Sequence, residues 1–144
     1  HVQKTLENDF GITGLLVRRG VEDQKAFDAG LNNVTTARGQ MLLYERIASG
    51  TAADSAASNS MIEVLLDQEF NDVIPALLPE EVKVAHKTGS ITAIDHDGGI
   101  VLLPDGRRYV LVLLAGKFTD RASAKKTMSE ISLRIYRFVT GSRS

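Results

Sequence analysis

Val82-Lys83-Val84-Ala85-His86-Lys87-Thr88-Gly89-Ser90-Ile91 is the stretch that decides the fold. Val82, Val84 and His86 alternate with their neighbours, which is the two-residue period of a half-buried β-strand. Lys87-Thr88-Gly89 then sets an ammonium, a hydroxyl and a side-chain-free backbone position on consecutive residues of that strand. Such a set suits an anionic group: the lysine supplies charge, the threonine a hydrogen bond, and the glycine room for close backbone approach.

Downstream of this strand the pattern stays strand-like. Ile91 to Ile94 continues the run, and Gly98-Gly99 marks a turn or a close approach. Ile100–Leu103 and Tyr109–Leu114 flank Pro104-Asp105-Gly106, a hairpin signal. Tyr109–Leu114 is almost wholly apolar, which predicts burial on both faces and a central place in the sheet. It has one hairpin partner within this chain, so further strands are expected from outside it. Ala124, Met128, Ile131, Ile135 and Phe138 step by four, three, four and three, predicting a helix from about Asp120 to Val139 with one apolar stripe.

Upstream the pattern is helical. Val2, Leu6 and Phe10 share a helical face that Gly11-Ile12-Thr13-Gly14 breaks, and Leu15-Leu16-Val17 is a short buried piece. Polar and small residues from Val21 to Asn33 predict an irregular loop. Thr35 or Thr36 caps a helix carrying Ala37, Met41, Tyr44 and Ala48 and ended by Gly50. Ser60-Met61-Ile62-Glu63 has the form of a capping box, predicting a helix from there to about Phe70. Pro75 and Pro79 bound a turn-rich segment. The expected fold class is therefore α+β: three antiparallel strands covered by a C-terminal helix, preceded by helices and an Ω-like loop at about 20–35. Residues 1–80 form the helical part and 81–144 the sheet and final helix.

Composition narrows the function. The 144 residues include 17 basic and 18 acidic side chains for a net charge of −1, without a long run of one sign. That balance does not favour nucleic acid or an anionic membrane surface as a partner. No apolar stretch approaches the ~20 residues that span a bilayer. The absence of cysteine excludes disulfides, thiol catalysis and thiolate metal sites.

Three stretches together resemble the second half of class A β-lactamase-like serine hydrolases, which share a fold with penicillin-binding transpeptidases and carboxypeptidases. They are the Ω-loop-like run from Ala26 to Arg38, the run Val84-Ala85-His86-Lys87-Thr88-Gly89, and His96-Asp97-Gly98-Gly99-Ile100-Val101. The resemblance covers nearly the whole chain and implies roles residue by residue. Lys87 would place positive charge near a substrate carboxylate and near the reacting serine, Thr88 would hydrogen-bond that carboxylate, and Gly89 would let the substrate backbone lie against the strand. The Ser90 backbone N–H would supply half of an oxyanion hole. Asp28 and Asn32 fall where family Ω-loops orient a deacylating water. An aspartate stands there in place of the usual glutamate, one methylene shorter, so slow release of the acyl group is expected.

The family's nucleophilic Ser-x-x-Lys and middle Ser-x-Asn motifs have no suitable match. Ser123-Ala124-Lys125-Lys126 fits the first pattern but lies on the last helix, after Lys-Thr-Gly, and Ser58-Asn59-Ser60 has the wrong spacing for the second. His86, Asp95, His96 and Asp97 read as hydrogen-bonded strand residues rather than a metal cluster, with His96-Asp97 at a pocket rim or bracing the strand. The resemblance thus implies the C-terminal part of a periplasmic or secreted serine hydrolase. It would cleave a β-lactam or a related peptidoglycan-like amide through an acyl-serine on a missing N-terminal segment. The chain alone is expected to be inactive, and no metal or organic cofactor is implied. A D-alanyl-D-alanine peptidase or penicillin-binding protein with slow deacylation, and a catalytically silent binding domain of the same fold, are the alternatives.

Overall fold

The structure is a computed structural model that describes residues 1–142; residues 143 and 144, at the end of the second expected part, lie outside the described residues. Strands β3 (Lys83–Ile91), β4 (Ile94–Leu102) and β5 (Arg108–Gly116) form an antiparallel sheet in the order β3-β4-β5. Helices α3 (Ala37–Ala48) and α4 (Ser55–Leu66) cover one face, and α5 (Arg121–Thr140) covers the other. Alternation along the strands serves both layers. Val84, Val101 and Leu111 pack with Met128 on the α5 side, while Ala85 and Ile100 pack with Ile47 and Ile62 on the α3–α4 side. The α+β expectation holds. β4, not β5, is the central strand of this sheet, and β5 has no second partner among the described residues.

The hairpin at Pro104-Asp105-Gly106 forms as its turn residues predict, with Gly106 at φ 85 and the Leu103 N–H donating to the Arg107 carbonyl at 2.9 Å. Between β3 and β4 the strand does not run through. Thr92-Ala93 turns it, with Ala93 at φ 52, a left-handed position filled without the usual glycine or asparagine. Gly98-Gly99 is not a turn but a close approach in mid-strand: a Cβ on Gly99 would sit 2.3 Å from the Ala85 carbonyl oxygen.

The helices differ from expectation mainly at their starts. α4 begins at Asp54, whose carboxylate accepts from the Ala57 N–H at 2.7 Å, so Ser60 lies mid-helix and no capping box forms there. Alanines among Ser55–Asn59 favour helix ahead of Ser60, and α4 ends at Leu66 rather than Phe70. The first helix runs from Val2 to Lys4 (α1) and widens into a π-turn over Thr5–Asp9. That widening shifts the face, so Leu6 is buried while Val2 is exposed. α5 starts near Asp120 as expected, with the Asp120 side chain as its cap, but Ile131 and Phe138 are exposed. Met128 is buried and Ile135 packs on the core as expected, while Ser129 and Ser132 take the remaining buried positions. The small serines let α5 sit close, and the Ser132 hydroxyl is satisfied by donating to the Ile74 carbonyl at 2.8 Å.

The loop before α3 is tied at its neck. β1 (Leu15–Leu16) pairs antiparallel with β2 (Val34–Thr35). Beside that pair, Asn33 Oδ1 accepts from the Arg18 and Arg19 N–H groups at 2.8 and 3.1 Å. The chain between these ties is an Ω-shaped excursion. It is not wholly irregular, because Asp23 caps a short helix α2 (Gln24–Asp28) within it.

Candidate active site

All four residues from Lys87 to Ser90 line one cleft of about 440 Å³ along the edge strand β3. Asp95 and His96 of β4, Lys125 of α5, and Phe70, Asp72 and Val73 of the segment entering β3 complete its wall. Register explains the grouping: Ser90 faces Asp95 across the ladder and Gly89 faces His96. A Cβ on Gly89 would meet nothing within 4 Å, so the cleft is open at that position. Phe70, Asp72 and Lys125 had no local sequence signal as a site, since chain segments far apart bring them together.

The charges in the cleft are mostly neutralised. Lys125 Nζ lies 2.5 Å from Asp72 Oδ2. Asp95, almost fully buried, has Arg121 Nε 3.0 Å from its Oδ2, an ion-pair contact without hydrogen-bond geometry. Lys87 Nζ has only the Thr88 carbonyl oxygen, at 2.6 Å. Among the described residues lining the cleft, it is the cation without a carboxylate partner. An exposed ammonium held next to an open backbone position is a ready donor to an incoming anion.

Behind this edge lies a buried polar cluster. His86 Nδ1 is 2.8 Å from Asp97 Oδ1, and the two side chains are 1% and 0% exposed. The Ile74 N–H donates to Asp97 Oδ2 at 2.9 Å. His86 is thus the hydrogen-bonded histidine expected, and Asp97 braces the strand while His96 stands at the rim. Among the described residues, no group of three or more His, Cys, Asp or Glu side chains could hold a metal ion. From the other sheet face Tyr44 of α3 closes against Gly98. Burial, and then the Asp97 charge, push its phenol up to about 12, with a backbone hydrogen bond at Lys87 opposing. Sequence periodicity marked Tyr44 only as a core residue.

Asp28 and Asn32 are exposed and do not line this cleft. Asp28 Oδ1 accepts from Gln24 Nε2 at 2.7 Å, one turn back on α2. Ser123 donates its hydroxyl to the Asp120 carboxylate as part of the α5 cap, and Lys126, the lysine of the Ser-x-x-Lys match, is exposed. Neither side chain of that Ser-x-x-Lys match engages the other through a hydrogen bond.

Comparison with known proteins agrees with this picture. A family model described as Beta-lactamase enzyme family matches residues 1–139. A β-lactamase of Bacteroides uniformis is 32% identical over 85 residues, covering 54% of this chain and 28% of that protein. A β-lactamase structure from Chitinophaga pinensis superposes with a TM-score of 0.86 at 20% identity, covering 96% of this chain and 54% of the other. The structure of PBP-A gives a TM-score of 0.84 at 21% identity, covering 97% and 51%. The chain spans about half the length of these solved structures and less of the curated relative.

Proposed function

Since the chain belongs to the β-lactamase enzyme family, we propose that it supplies the anion-gripping strand of a serine hydrolase whose nucleophile lies on a segment outside these residues. The observation that carries this reading is the Lys87 ammonium, free of any carboxylate within the cleft and adjacent to the open Gly89. In the proposed complex Lys87 and Thr88 bind the carboxylate of a β-lactam or peptidoglycan-like acyl donor. Gly89 admits its backbone, and the Ser90 N–H serves as one of two oxyanion donors. A serine on the other segment attacks the carbonyl carbon, the carbonyl becomes an oxyanion facing Ser90, and collapse breaks the C–N bond as the serine's proton passes to the nitrogen. An acyl-serine is left, with the amine released from a peptide donor or kept on the opened ring of a β-lactam. The chemistry needs neither metal nor organic cofactor. Residues 1–80 and 81–144 act as the loop-bearing and strand-bearing parts of one catalytic unit, working in the periplasm or outside the cell.

Deacylation is proposed to be slow, as in a penicillin-binding protein. Asp28 and Asn32 are the residues assigned to hold the hydrolytic water. Asp28 instead engages Gln24, outside the cleft. A variant of PBP-A is known as an acyl-enzyme complex with penicillin G, which sets a precedent for a persistent acyl group on this fold. Nitrocefin turnover by the full-length protein tests the proposal: acylation with slow turnover supports it, and no reaction with any β-lactam rejects it.

A further inference from the structure

Hydrogen-bond donors and acceptors around His86 are over-determined. Asn71 Nδ2 donates to the Gln68 and Glu69 carbonyl oxygens, both at 3.2 Å, which fixes the amide so that Oδ1 faces His86 Nε2, also at 3.2 Å. Oδ1 is an acceptor, so Nε2 carries a proton. On the other side Nδ1 faces Asp97 Oδ1, while Asp97 Oδ2 already accepts from the Ile74 N–H. With Asp97 ionised both of its oxygens are acceptors, and Nδ1 then donates as well. The ring thus faces an oxygen atom at each nitrogen, Asn71 Oδ1 at Nε2 and Asp97 Oδ1 at Nδ1.

We propose that His86 and Asp97 form a buried imidazolium–carboxylate pair that positions the β3 edge carrying Lys87 and Thr88. The placement supports this directly. His86 immediately precedes Lys87, and Asp97 is the cross-strand partner of Thr88. Asn71 and Ile74 belong to the same segment as Asp72 and Val73, which form the opposing wall of the cleft. One charged pair thus ties the anion-binding strand to the facing wall, and both sides of the cleft keep their spacing through it. Gly99 stands opposite His86 on β4, where a side chain would collide with the His86 Cβ at 2.5 Å. Glycine there lets β4 lie close against the His86 backbone.

The acyl-transfer consequence rests on the proposed function, but the pair itself does not, so the test reads the pair without activity. In full-length protein labelled with ¹⁵N-histidine at neutral pH, the His86 ring is expected to show two protonated nitrogens. In D97N it is expected to show one. Amide hydrogen exchange from Lys87 to Ser90 should accelerate at least tenfold in D97N relative to amides of β5. In L103A, which removes core volume away from the pair, both sets should rise together. A wild-type ring with one bare nitrogen overturns the proposal. So does a D97N protein in which exchange at Lys87–Ser90 rises no more than in β5. If D97N does not fold, the wild-type ring spectrum decides alone.

Discussion

Lys87 Nζ donates to the carbonyl oxygen of Thr88 at 2.6 Å, so the ammonium folds back on its own strand instead of pairing with an acid. Asp72 and Asp95, the carboxylates nearest in the cleft wall, are held by Lys125 and Arg121. That arrangement keeps one cation available. In the full-length protein, K87A should slow acylation by an anionic β-lactam by ~10²–10³, the range for a lost oxyanion or charge-stabilising donor. Stopped-flow acylation kinetics measure it, and a loss below about threefold would contradict the role assigned to Lys87.

Gly89 separates fold from function. With nothing within 4 Å of its absent Cβ, G89A should keep stability within about 0.5 kcal/mol, as surface changes do. The added methyl intrudes on the open cleft, so KM for the acyl donor should rise while the denaturation midpoint stays put. Chemical denaturation alongside steady-state kinetics checks the split.

Gly99 makes the opposite case. Its Cβ would fall 2.3 Å from the Ala85 carbonyl oxygen and 2.5 Å from the His86 Cβ, so backbone must move. G99A is expected to cost about 3 kcal/mol, the upper end for overpacking. A urea midpoint unchanged from wild type would show that β4 can yield there.

The shared strand reading shows what is legible in a sequence and what is not. Alternation at Val82–His86, the Pro104-Asp105-Gly106 turn and the start of the last helix near Asp120 are local signals, and the structure follows each. Lys87, Thr88, Gly89 and Ser90 fall together on one cleft because they are consecutive on an edge strand. The Thr92-Ala93 turn was hidden because its left-handed residue is an alanine. The early start of α4 was hidden because Asp54 caps a run of small residues whose helix is held by packing on β3. The α5 face was read only in part, at Met128 and Ile135, because its buried positions also include Ser129 and Ser132, and the Ser132 hydroxyl is satisfied by a carbonyl of Ile74 far away in the chain. Asn71 and Asp72 carried no local pattern at all, because their partners lie on other elements.

Asp120 predicts an acid response. The Ser123 hydroxyl, then the Ser123 and Ala122 backbone N–H groups, hold its carboxyl below the ordinary 3.8. A depressed folded value means the cap stabilises above pH 3.8 and is lost as pH falls through the lower folded value. Asp105, lowered by Arg107, adds to the same acid slope. Thermal midpoints of wild type and D120A should therefore converge as pH drops below that range. Parallel curves throughout would count against the cap.

The most direct test of the account is an intact-mass time course of the full-length protein with penicillin G, followed by peptide mapping. The predicted result is a single penicilloyl adduct on a serine outside these 144 residues, persisting for many minutes and forming ~10²–10³-fold more slowly in K87A. An adduct on Ser123 or any other serine of this chain, or no adduct with any β-lactam, would contradict it.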